Sequence, residues 1–225
     1  MARQVKEYDE RYQQFLDVGQ QLFYTKGYDQ TSIQEIIDAV GVAKGLFYYY
    51  FHAKGDLLDA IIARSLAQRI EQLTPLVDDP AVAAPAKFVR LFADLGNWKL
   101  AKKEFFLEIM RVTMRDENVL LRTKMRDLGV AAVAPLMARV IEQGVGEGVF
   151  AVDRAADIAE LLLEMGQSLS RVTTDLLLAT PNDAEAYNVF MRKVDAYERS
   201  IERVLGAPPG SLPVMPRDQI RRWLE

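Results

Sequence analysis

The chain has 225 residues, half of them apolar, which is material for one large or two small domains around a sizeable core and argues against disorder. With no cysteine and a single histidine, His52, there is no disulfide framework and no thiolate or imidazole set for a zinc or iron site, so neither metal nor other cofactor is expected. The net charge of −4 excludes a protein that coats nucleic acid by bulk positive charge, and even the first 55 residues have no basic excess.

No stretch approaches the roughly 18 consecutive apolar residues needed to span a bilayer, and the opening MARQVKEYDERYQ lacks the apolar run of a secretory signal. The expectation is a cytoplasmic protein with no membrane partner. Along the chain, Tyr12, Phe15, Leu16, Gly19, Leu22 and Phe23 follow one helical face, and Gly27 stops that helix. Thr31 then places a hydroxyl where it can cap a second, short helix, with either Gln34 or Glu35 in its first turn and Ile33, Ile36, Ile37 and Val40 as its buried face. Gly41 breaks that helix. A third short helix follows from Ala43 to Phe51, with Val42, Phe47, Tyr50 and Phe51 able to point inward. Tyr48, Tyr49 and Tyr50 cannot all be buried, because a helix does not turn three successive side chains inward; Tyr48 and Tyr49 are the expected outward pair.

A fourth helix runs from near Asp56 to about Leu73, and Pro75 to Pro85 reads as a break. The helical period returns in Phe88, Leu91, Phe92 and Leu95, in Phe105, Phe106, Ile109 and Met110, and from about Glu117 to Gln143, with Pro135 inside the last and expected to kink it. GVGEG at 144–148 reads as a loop between helices; no strand precedes it, and it lacks the lysine and hydroxyl of a phosphate-binding loop. Helices from about Arg154 to Thr180 and Asp183 to Leu205 follow. APPGSLPVMP at 207–216 then reads as an extended linker before a short terminal helix. Strand-like alternation is lacking, so the fold class is all-α.

In the helix near 154–180, Ile158, Leu162, Met165, Leu169, Val172 and Leu176 form one seam, and Ala159, Leu163, Gly166, Ser170, Thr173 and Leu177 a second beside it. This helix therefore needs cover on two sides. The helix near 183–205 repeats the pattern in Tyr187, Phe190, Val194, Tyr197, Ile201 and Val204, leaving Arg192, Lys193, Glu198, Arg199, Glu202 and Arg203 for solvent. Either two chains pair these helices, or one chain's core uses both sides.

Helices two and three with their glycine turn form a unit of the size that enters a major groove, which is about 12 Å wide. The run FLDVGQQLFYTKGYDQTSIQEIIDAVGVAKGLFYYYFHAKGDLLDAII, and in it the blocks LFYTKGYDQTS, IIDAVGVAKG and FYYYFHAKGDLL, resembles the N-terminal domain of the tetracycline-repressor (TetR) family over about residues 12–62. The resemblance implies an N-terminal three-helix helix-turn-helix domain, 1–55. It also implies a larger helical ligand-binding and dimerisation domain, 56–206, forming an intersubunit four-helix bundle; 207–225 remains as a Pro-rich linker and short C-terminal helix. The implied partners are a double-stranded DNA operator, a second copy through the helices near 154–180 and 183–205, and an unknown small-molecule effector that releases the DNA by moving helix four. The implied function is a repressor and not an enzyme; no nucleophile with a base partner and no paired-carboxylate signature is present.

Carried over residue by residue, the family's roles put Thr31 and Ser32 on a phosphate at the start of helix two. Ala43, Lys44, Gly45 and Leu46 would face the groove, Lys44 as donor to a guanine edge or phosphate and Leu46 against a thymine methyl. Tyr48 and Tyr49 would give hydroxyls to the backbone and Lys54 an ion pair to another phosphate; the bland alternative for Lys44 and Lys54 is a solvated charge. Trp98, Phe105, Phe106, Met110, Met137 and Met165 are candidates for an apolar effector pocket, the alternative for each being plain core.

Overall fold

The computed structural model describes residues 2–101, 114–179 and 184–217, without the side chains of 2–8, 94–101, 117, 170–171, 173–179, 184 and 186. Among the described residues the chain is all-helical and strand-free: α1 (Ala2–Thr25), α2 (Ile33–Val40), α3 (Lys44–Tyr50), α4 (Lys54–Asp78), α5 (Ala84–Ala101), a 3-10 turn (Asp116–Asn118), α6 (Val119–Gly146), α7 (Ala155–Ala179) and α8 (Ala184–Leu205). Two compact units form, Met1–Gln68 with Glu108–Leu128, and Arg69–Leu107 with Gly129–Glu225. This grouping differs from the contiguous segments expected above because Leu57, Leu58, Ile61 and Ile62 of α4 and Leu121 of α6 are buried with the residues of α1–α3.

In the first unit the apolar stripe of α1 (Phe15, Leu16, Phe23) meets Ile36 and Ile37 of α2 and Phe47 of α3. Rings tie α1 to α3 and to the residue that follows it: Phe15 and Phe47 meet edge-on with centroids 5.6 Å apart, and Tyr12 stacks on Phe51 at 5.4 Å. Arg64 of α4 fastens α1 from outside, its guanidinium donating to Gln13, Asp17 and Gln20 at 3.0, 2.7 and 2.8 Å. A planar fork of donors suits three acceptors on successive turns.

In the second unit, Phe88, Leu91, Val140, Ile141, Ala159, Leu162, Val194 and Ile201 are among the buried residues of one core. Lys87 is buried there, and its Nζ donates to the Val77 carbonyl (2.5 Å) and to Gln143 Oε1 (2.7 Å). Gln143 in turn donates to the Val82 carbonyl, and Glu147 accepts the Ala84 N–H at the start of α5. Three side chains thus stitch the α4–α5 turn to α6.

Several boundaries differ from the sequence expectation. α4 continues through Pro75 to Asp78, because Leu73 and Val77 on either side are buried while Pro75 and Glu71, whose carbonyl loses its i+4 donor, face water. α6 likewise runs through the exposed Pro135 and on to Gly146, so only the end of GVGEG is loop. By length and composition α6 could cross a membrane, but Leu121 sits in the first core and Met137, Val140 and Ile141 in the second.

Glu198 and Glu202, assigned above to solvent, are buried. Glu202 accepts the Leu212 N–H at 3.2 Å, and Glu198 accepts the Met215 N–H at 3.1 Å and Arg217 at 2.9 Å. Residues 211–217 are therefore no free linker: Leu212 and Val214 are buried, and the carboxylates satisfy backbone donors that burial would otherwise leave unpaired. Val204, placed above in the apolar seam of this helix, is 41% exposed in the single chain. The terminal helix expected after Pro216 lies outside the described residues.

Candidate nucleic-acid interface

The first unit presents α3 as a rod seated on aromatic rings. α2 starts with Ser32 as N-cap, not Thr31: the Ser32 hydroxyl accepts the Glu35 N–H and the Glu35 carboxylate accepts the Ser32 N–H, a reciprocal capping box. Lys26 pairs with the same carboxylate. Gly41 ends α2 in the left-handed conformation (φ 74°, ψ 41°), its N–H bonded to the Ile37 carbonyl at 2.9 Å, which reverses the chain within three residues of α3.

α3 buries Phe47, the adjoining Phe51 is buried as well, and the opposite side carries Lys44, Tyr48 (42% exposed) and Tyr49 (68% exposed). Lys44 Nζ lies 5.9 Å from the centre of the Tyr48 ring, one helical turn on, so cation and phenol share one patch. Ala43 and Gly45 are exposed beside them. Among the described residues, and apart from its chain neighbours and its own helix's backbone, a Cβ on Gly45 would meet nothing within 4 Å, so packing in the described fold does not require glycine there. Such a patch offers one ammonium and two phenol hydroxyls to acceptor groups, with a bare stretch of backbone between them.

Four candidate contacts sit differently from the expectation. Thr31 is 1% exposed and its hydroxyl donates to the Gly27 carbonyl at 2.7 Å, so it braces the α1–α2 turn instead of facing outward. Lys54 donates to the carbonyls of Tyr28 (2.7 Å) and Thr31 (2.9 Å) and lies 4.3 Å from the centre of the Tyr28 ring. Desolvation lowers its pKa, opposed by Asp29 and Glu35. Its ammonium is therefore a structural clamp, not a dangling charge. Leu46 is half-buried against the first core, which limits what it can offer to a groove. Ser32 is exposed but spends its hydroxyl within the capping box. Asn118, which the sequence reading did not single out, accepts the Tyr28 N–H at 2.8 Å. No signal in the sequence points to it, since the pair is 90 residues apart.

Of the pocket candidates, Met137 is 2% exposed within the second core and Met165 is half-buried against it. The side chain of Trp98, and Phe105, Phe106 and Met110 altogether, lie outside the described residues. A polar cleft of the second unit is lined by Val77, Asp78, Pro80, Lys87, Arg139 and Gln143, none of which is in the expected set.

Residues 15–61 match the model of the family described as bacterial regulatory proteins, tetR family. The chain is 24% identical over 139 residues to a fatty acid metabolism regulator protein of Bacillus subtilis, covering 61% of this chain and 70% of that protein. It is 44% identical over 62 residues to the HTH-type transcriptional regulator AcrR of Shigella flexneri, covering 27% of this chain and only 29% of that one. Its fold is that of a TetR-family transcriptional regulator from Pectobacterium atrosepticum, with a TM-score of 0.58 at 20% identity, covering 90% of this chain and 98% of the other. A helix-turn-helix built on these residues, a family match centred on them and an all-helical fold shared over nine-tenths of the chain lead to one conclusion: residues 15–61 are a helix-turn-helix similar to that of the tetR family of bacterial regulatory proteins, within a fold like that of solved TetR-family regulators.

Proposed function

We propose that the chain is a repressor that holds a palindromic operator as a homodimer and releases it when a small, largely apolar effector binds. The observation that carries the reading of the DNA contact is the outward face of α3, where Lys44, Tyr48 and Tyr49 surround a glycine that the fold does not need. Glycine in a helix costs roughly 0.5–1 kcal/mol relative to alanine, and close approach of a duplex to the α3 backbone is a reason to keep it. Phosphate contacts from Lys44 and the tyrosine hydroxyls would set register, and Lys44 is the candidate for a base edge.

Dimerisation is supported by α7 and α8, which pack on each other yet leave Leu161 63% and Val204 41% exposed in the single chain. Two recognition helices about 34–36 Å apart read two half-sites one helical turn apart, and either alone binds weakly. An apolar effector is supported by the name of the Bacillus subtilis relative, a fatty acid metabolism regulator. Met165, beside the second core, remains a pocket candidate, whereas Met137 reads as packing. A regulator of bacterial genes meets its operator in the cytoplasm, which is the location proposed.

The test is binding to the intergenic DNA beside the protein's own gene. Lys44→Ala and Tyr48→Phe should each weaken binding by about ten-fold or more while the protein stays folded, the loss of one or two charge-assisted or neutral hydrogen bonds. Gly45→Ala should raise thermal stability and lower affinity together. If all three variants footprint that DNA as the wild type does, α3 is not the reading helix.

A further inference from the structure

The turn that launches α2, Gly27–Thr31, is tethered from three directions. Thr31 binds the Gly27 carbonyl, and Lys54 binds the Tyr28 and Thr31 carbonyls. The third tether comes from the far end of the unit's sequence: Asn118, 1% exposed, accepts the buried Tyr28 N–H through Oδ1 at 2.8 Å. Its amide also faces Gly27 closely enough that a Cβ there would stand 3.1 Å from Nδ2. Leu121 is buried in the same core, and Lys124 pairs with Asp59 of α4. Positions 118, 121 and 124 recur at helical spacing, so one side of the 3-10 turn and of the first turns of α6 docks on the helix-turn-helix. The same continuous helix carries Met137, Val140 and Ile141 of the second core.

We propose that Asn118 is a positioning residue for DNA recognition, the point at which the 3-10 turn leading into α6 sets the entry of α2 and through it the attitude of α3. This rests on the reading of α3 as the DNA-binding helix. A hydrogen bond is lost once donor and acceptor part beyond about 3.5 Å, so a small rotation or shift of α6 about its axis opens the Asn118–Tyr28 contact and leaves a buried N–H unpaired. The turn then relaxes, and the groove-facing side chains lose their fixed register. α6 is in this view a lever on the reading helix in addition to α4, and its contact point is a side-chain amide.

The experiment uses a duplex that the wild-type chain selects from a random pool. Asn118→Asp keeps an acceptor in place, and Asn118→Leu keeps similar bulk without one. At a temperature where both variants are fully folded, Asn118→Leu should bind the duplex about ten-fold more weakly, the equivalent of roughly 1.4 kcal/mol. Its Tyr28 amide should exchange with solvent correspondingly faster, while Asn118→Asp, which keeps the acceptor, should protect that amide better than Asn118→Leu does and bind the duplex more tightly than it. If Asn118→Leu does not fold, Asn118→Ala takes its place. A variant that melts earlier but binds the duplex as tightly as wild type overturns the proposal, because a purely structural role moves stability alone. A wild-type chain that selects no duplex overturns the reading of α3 and this proposal with it, so the two failures are distinguishable.

Discussion

Glu35 lies at the surface, yet its carboxylate accepts hydrogen bonds from Lys26, from the Ser32 N–H and from the Ser32 hydroxyl. These, with the Lys26 bond the largest influence, lower its pKa from an ordinary 4.5 to about 2. A carboxyl with a depressed folded-state pKa adds stability that is complete above its unfolded value and disappears as pH falls through the folded one. The contribution of the capping box should therefore be present at neutral pH and vanish between about pH 4.5 and 2. Glu35→Gln should melt below wild type at pH 7, and the gap should close across that window; melting temperature against pH for both proteins measures it, and a gap independent of pH would remove the charge from the explanation. The pairing of Ser32 with Glu35 was half legible in the sequence. The S-x-x-E pattern places a cap, but Thr31 stands one residue earlier with the same hydroxyl, and only the folded turn, which buries Thr31 against Gly27, decides between them.

α7 and α8 pack through a small residue facing a large one. A Cβ on Gly166 would fall 2.7 Å from Tyr197 Oη and 3.5 Å from Cζ, and that hydroxyl donates to the Leu162 carbonyl at 3.2 Å. Burial raises the phenol's pKa, so it remains a donor. Glycine to alanine within a helix usually stabilises by about 0.5–1 kcal/mol, but here the methyl displaces the hydroxyl, and Gly166→Ala should destabilise by roughly 1–2 kcal/mol. Removing the hydroxyl removes the clash: on a Tyr197→Phe background the alanine should cost close to nothing, giving a coupling of about 1 kcal/mol or more in a denaturant-unfolding double-mutant cycle. Additive effects would mean the two residues do not meet. The periodicity of both helices was legible from their apolar spacing. What the spacing could not supply was that Glu198 and Glu202 lie on the buried side, since a charged residue at that spacing is ordinarily solvated until a backbone N–H from 211–217 comes to meet it.

At the scale of the whole molecule, the surface that tests the proposed dimer is the exposed side of α7. Leu161 is 63% exposed in the single chain, more than any other large aliphatic side chain among the described residues. In a single chain, Leu161→Lys should change stability by no more than about 0.5 kcal/mol, as surface substitutions usually do. If α7 and α8 form the seam between two copies, it should instead convert the dimer to a monomer in sedimentation and weaken binding to a palindrome far more than binding to one half-site. A variant that stays dimeric places the seam elsewhere.

The residues of the chain by themselves determined the helix count in the N-terminal region, the positions of the turns and the outward pair Tyr48 and Tyr49. These follow from local rules: a glycine with positive φ ends a helix, a hydroxyl starts one, and a helix turns only one side inward. Tertiary structure alone decided what depends on partners distant in sequence. Lys54 and Thr31 became braces because carbonyls of the Gly27–Thr31 turn needed donors, Asn118 joined the recognition unit across 90 residues, and α4 and α6 ran through their prolines because apolar residues beyond them were buried. Periodicity records which side of a helix is apolar; it carries no record of which buried polar group will find its complement elsewhere on the chain.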